Sequence, residues 1–165
     1  MKTTSLIATV LLSMTLTACS QKQSHETVAT ESSDSTNIEA VASDPSLGKM
    51  EEHTYSGLIP DSSGGKTHYS LTIRNQEYSG DGTFSLTITT PATKSEKSDT
   101  CTLSGRRYTQ RGIPGDNDAT VWQLKSNDGT IFNLFFNSTD STLILLDGNF
   151  HKIAPSSAYT LHPQH

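Results

Sequence analysis

Cysteine, tryptophan and basic residues are what this chain has least of: two cysteines, one tryptophan, and 12 Lys and Arg against 17 Asp and Glu in 165 residues. Each scarcity excludes something. The basic residues form no patch that would track a phosphate backbone or an anionic lipid surface, so nucleic acid is not expected as a partner. Arg106, Arg107 and Arg111 make a small local group, read as the solvated face of a hairpin. No HExxH, GxSxG or CxxC occurs, which removes common metalloprotease, hydrolase and dithiol signatures. Gly64-Gly65-Lys66-Thr67 matches the end of a phosphate-binding loop, but the glycine needed five residues before Gly65 is Pro60, and a strand pattern follows instead of a helix. No segment keeps a helical period, and no apolar run is long enough for a convincing spanning helix.

What is present begins with an export signal. Met1-Lys2 supplies a positive start, Leu6 to Leu12 a short apolar stretch, and Ala18 a small residue before Cys19. Signal, small residue, cysteine and polar tail in that order form a lipobox. It predicts a signal peptide over residues 1–18 and lipid attachment at Cys19. A thiol is needed because it carries diacylglycerol through a thioether, and cleavage frees an amine for another chain. At about 0.8 kcal/mol per buried CH₂, several chains anchor a protein durably. The partner this implies is a membrane, reached through the N-terminal lipid. Ser20 after the cysteine points by lipoprotein convention to the outer membrane, with the body facing the periplasm. Loss of Lys2 with the signal takes the formal net charge from −5 to −6. With Cys19 lipidated, Cys101 is left alone and is expected to be buried.

Residues 19–52 are the lipidated cysteine and a linker rich in Ser, Thr, Glu, Asp, Gln and Ala, with no aromatic residue. Such a composition does not offset ordering entropy, so a disordered tether is expected, reaching about 30 Å, with room for a transient helix near 37–42. From His53 the texture changes to period two. Tyr69, Leu71 and Ile73 alternate with polar residues, as do Phe84, Leu86 and Ile88, then Trp122 and Leu124, then Phe132, Leu134 and Phe136. Asp81-Gly82, Asp128-Gly129 and Asp147-Gly148 read as tight turns, Ser104-Gly105 as a further hairpin, and 91–98 and 113–119 as loops. The expected fold is all-β: eight or nine strands in a small antiparallel meander closed into a lipocalin-like β-barrel, with a two-sheet sandwich as the alternative. The barrel domain spans 53–162 and a tail 163–165. Whether Phe84, Trp122, Phe132 and Phe136 fill the interior or line a cavity for a small hydrophobic ligand is open at this level, with filling favoured.

No catalytic residues and no cofactor are expected. His53, His68, His151, His162 and His165, with Met50 near the first, raise a weak copper or zinc site, but no two histidines share a strand face at i, i+2, and surface positions are expected. Asp116 and Asp118 around Asn117 lack the glycine and terminal glutamate of a calcium loop.

Several short segments resemble the N-terminal domain of the NlpE family of envelope lipoproteins, also called copper-resistance or copper-homeostasis proteins. Tyr55-Ser56-Gly57-Leu58-Ile59-Pro60 is similar to its opening strand, Leu145-Leu146-Asp147-Gly148 through Ile153 to its "LD-x-x-G-x-x-I" region, and Ala158-Tyr159-Thr160-Leu161 to its closing "Y-x-L". The resemblance covers about 53–162. It implies a small lipocalin-like barrel on an outer-membrane lipoprotein, with links to copper tolerance and to envelope-stress signalling through a periplasmic sensor partner. The family's C-x-x-C would fall on Asp61 and Gly64, so its thiol chemistry has no place here, and the second, OB-like domain of longer members has no counterpart. The combined expectation is a lipid-anchored, non-catalytic sensor or interaction module, with carriage of a small hydrophobic ligand or weak copper or zinc binding as alternatives.

Overall fold

The computed structural model describes residues 43–62, 64–92 and 97–165, so the signal peptide, Cys19 and the linker to residue 42 lie outside the described residues. Eight antiparallel strands run in chain order and close on themselves: β1 (Met50–Pro60), β2 (Lys66–Gln76), β3 (Gly82–Thr90), β4 (Asp99–Ile113), β5 (Asp116–Ser126), β6 (Ile131–Asn137), β7 (Thr142–Leu146) and β8 (Thr160–Gln164). Each strand pairs with the next, and β8 returns to β1 through Thr54↔Gln164, Tyr55↔Pro163 and Ser56↔His162. Closure removes sheet edges, which suits a wall this rich in threonine and aromatic residues. The strands extend a few residues beyond the 53–162 span at each end. Part of the expected linker is also structured. A 3-10 turn, Pro45–Leu47, is capped by Asp44 and held by Gln76, whose amide donates to the carbonyls of Asp44 and Gly48 at 2.7 and 2.9 Å.

The period-two runs place their apolar members inside. Tyr55, Leu71, Leu86 and Leu103 stand opposite one another across β1 to β4, and Ile73, Phe84 and Gly105 follow in the adjacent layer. Leu71, Ile73, Leu143 and Val121 have no exposed surface. Three of these belong to the interior core with Ile59, Leu124, Leu134 and Leu161, whereas Val121 lies on the outward side of β5 by the same alternation.

Three segments depart from the sequence reading. Asp81-Gly82 is not a tight turn: Gly82 opens β3, paired with Asn75 and Arg107. Ser104-Gly105 is not a turn: β4 runs unbroken through it. Gly105 faces inward, where a Cβ would overlap the Lys125 carbonyl oxygen and come within 2.7 Å of Ser126 Cα. The glycine is there for close approach of two backbones. Residues 113–119 are not a loop either. Pro114-Gly115, with Gly115 at φ +87°, turns β4 directly into β5, and the register shifts between Arg111 and Ile113, where Gly112 has φ +92°. Asp116 and Asp118 sit at the start of β5, where the Asp118 amide donates to the Asp116 carboxylate at 3.1 Å, a local contact within the strand entry.

Carboxylates organise three of the other turns. Asp128 accepts from the Ser126 hydroxyl and from Thr130 N at 2.9 Å. Asp140 accepts from Thr142 Oγ1 at 2.7 Å and Thr142 N at 3.1 Å. Asp147 accepts from His151 N and Asn149 N, both at 2.8 Å. These donors, led by Ser126, Thr142 and His151 respectively, hold the three carboxyls below their ordinary value of 3.8. A carboxyl lowered on folding contributes stability above its unfolded pKa and loses it as pH falls through the folded value. The triple variant Asp128→Asn, Asp140→Asn, Asp147→Asn is therefore expected to lose less melting temperature than wild type between about pH 5 and about pH 2. Parallel melting curves for the two proteins would rule this out.

Candidate functional site: a cavity at one end of the barrel

Inward positions change character along the barrel axis. Toward the β1–β2 turn they are Ile59, Leu71, Leu86, Leu103 and other apolar side chains that fill the interior. Toward the end where β1 begins and β8 finishes they become Glu51, Asn75, Gly82, Arg107, Thr109 and Thr120. Small and polar residues do not close the ring, and a cavity of about 650 Å³ opens there. That volume falls within the range of small-molecule sites, about 300–1,000 Å³.

Three aromatic side chains form its apolar wall. Trp122 stacks on Phe136 with centroids 4.9 Å apart and planes 7° from parallel. Tyr55 meets Trp122 edge-on at 6.0 Å and 82°. Phe84 is 2 % exposed in the core; Phe132, Trp122 and Phe136 pack against that core, and the last two also line the cavity. The interior is packed toward the β1–β2 turn, and an open recess forms at the other end.

Arg107 is the residue that the sequence reading misplaced. It is 3 % exposed, not on a solvated face. Its guanidinium lies over the Trp122 ring at 4.8 Å and donates to Thr109 Oγ1 at 3.2 Å and, at the longer distance of 3.5 Å, to the Ser79 carbonyl. Its Nε has no partner; the same holds for Arg106 Nε on the outward side of the strand. Burial lowers the Arg107 pKa, opposed by the charges of Asp81 and Tyr55. Burial likewise raises the phenol of Tyr55, with Arg107 pulling the other way. The signal was legible in principle: Cys101, Leu103, Gly105 and Arg107 keep period two, which puts Arg107 inside once β4 is seen as continuous.

The rim is acidic. Glu51, Glu77 and Asp140 line it together with His53 and His165, and His53 Nε2 lies 3.5 Å from a Glu51 oxygen. His68 and His162 are exposed on strands, and His151 is beside Asp147 at 3.6 Å. Met50 opens β1, half-exposed. Among the described residues no three His, Cys, Asp or Glu side chains are placed to hold a metal ion. Cys101 is half-buried opposite Ile88 and packs on the core. Its sulfur is engaged and not free, where the sequence reading had a solitary thiol. Asp61 accepts from Gly65 N at 2.9 Å in the β1–β2 turn, at the end of the barrel away from the cavity.

Comparison of the chain with protein-family models, with curated proteins and with solved structures finds no match in any of the three.

Proposed function

We propose that the protein is a lipid-anchored, non-catalytic binding module of the bacterial outer membrane, its barrel in the periplasm carrying a small, largely apolar ligand. The observation that carries the reading is the aromatic-walled cavity at one end of an otherwise packed barrel. Among the roles raised by the sequence, it favours carriage over a sensor that acts by surface contact alone. Around the cavity, Thr109 donates to the Gly80 carbonyl and Ser79 to that of Asp81, and the hydroxyl that meets a rim carboxylate, that of Thr142 on Asp140, is held within its turn. That arrangement supports binding over turnover. The envelope address rests on Ala18-Cys19 and the signal before it, and the closed barrel is the fold that the NlpE resemblance implies.

The chain reports on its own cavity, because Trp122 is its one tryptophan and lines that space. Titration with a neutral apolar probe such as 1-decanol is expected to shift and partly quench tryptophan emission in a saturable way. An emission spectrum unchanged up to the solubility of the probe would overturn ligand carriage. The address has a separate test. Mass spectrometry of the native N-terminal peptide is expected to find diacylglycerol on Cys19; an unmodified or bridged Cys19 would retire the anchor.

A further inference from the structure

Arg107 is a nearly fully buried cation without an anionic partner in contact. No carboxylate lies within 4.0 Å of it among the described residues, and its two hydrogen bonds go to a neutral hydroxyl and a carbonyl. A guanidinium carries five N–H donors in a rigid fork suited to carboxylate. One face of this one is covered by Trp122, which leaves its edge as the part able to donate. Asp81 acts on it only from beyond contact distance; a buried charge with no counter-charge in contact is costly to keep, and here it borders the open cavity. An apolar residue at this position would have packed against Trp122 and Tyr55 at less cost.

We infer that the cavity is built for a single anionic head: the carboxylate of an otherwise apolar molecule seats on Arg107, with its body along Trp122 and Phe136. The proposal rests on the carriage reading and adds the chemistry of the ligand. Depth is what makes the arginine selective. At the surface water would screen the pair, whereas at a side chain only 3 % exposed a charge-assisted hydrogen bond strengthens. The rim sets the charge count. A second negative group on the far end of the ligand would lie among Glu51, Glu77 and Asp140, so a monoanion is preferred over a dianion.

Calorimetry on the full-length chain at neutral pH decides it with three probes that share a ten-carbon body: decanoate, 1-decanol and decanedioate. Decanoate is expected to bind about 10–100-fold more tightly than 1-decanol, the range of a desolvated charge-assisted contact, and more tightly than decanedioate. In Arg107→Gln the preference over 1-decanol disappears while 1-decanol still binds, and Arg107→Lys keeps part of it. Equal affinities of decanoate and 1-decanol for the wild type would overturn the anion site and leave carriage standing; no binding of any probe would overturn both. Equal binding of decanoate and decanedioate would overturn the monoanion preference. The wild-type comparisons need no variant, so a folding defect in Arg107→Gln does not shelter the proposal.

Discussion

Gly105→Val is expected to lose about 3 kcal/mol or more of folding stability, at the upper end of overpacking effects. The reason is backbone, not side-chain, crowding. A Cβ at this position runs into the Lys125 carbonyl and Ser126 Cα of the facing strand, and a β4–β5 ladder closed by Gly105↔Ser126 has no flexible group to move aside. Relief requires parting the two strands or bulging one of them, and either opens the ring. At a slope of about 1.5 kcal/mol per molar urea, the midpoint of unfolding drops by about 2 M. Gly105→Ala carries the same Cβ and should lose most of that amount. An alanine variant within about 0.5 kcal/mol of wild type would show that the strands yield easily.

Phe84→Ala is expected to cost about 3–5 kcal/mol, the usual range for emptying a buried aromatic site. Phe84 is 2 % exposed, belongs to the core cluster and pairs with Gly105 across the β3–β4 ladder. The cavity of Trp122 and Phe136 is nearby in the same barrel, and truncation here extends emptiness into the packed half. Denaturant unfolding measures the loss, and a cost below about 1.5 kcal/mol would mean that the core collapses around the gap. Against a typical total of about 5–15 kcal/mol, either substitution threatens the fold. Because residues 84 and 105 face each other, the double variant should depart from the sum of the two single effects.

The inner faces of β2, β3, β5 and β6 were legible because a strand with one buried side writes its orientation as alternation. What alternation does not encode is height along the barrel axis. Phe84 and Trp122 both read as inward, yet one is embedded in leucines and the other borders open space, a difference set by which strands lie opposite. The same limit explains Ser104-Gly105. A local Ser-Gly reads as a turn, and only the distant Lys125 carbonyl reveals that the glycine is there for contact. Cutting β4 at that point hid Arg107, since a residue just after a turn is taken as solvated. Asp128-Gly129 and Asp147-Gly148 were read correctly as turns, and Gly129 adopts φ +91°. Asp81-Gly82 was not: Gly82 opens β3, where a Cβ would overlap the Arg74 carbonyl, so this glycine serves close approach of two strands.

The wall is unevenly stitched. β1 and β2 are zipped together from Met50↔Gln76 to Pro60↔Lys66, but β8 is joined to β7 only through Leu143↔Leu161 and Ile144↔Thr160 and to β1 through three residues, one of them Pro163, which has no N–H to give. Thermal fluctuation finds the least resistance along that line. When the last strand lifts away, β7 and β1 are left with bare amides and carbonyls, and the complementary strand of a neighbouring copy fits the gap as well as the original. At high local concentration, exchange of the C-terminal strand is thus the natural failure of this architecture.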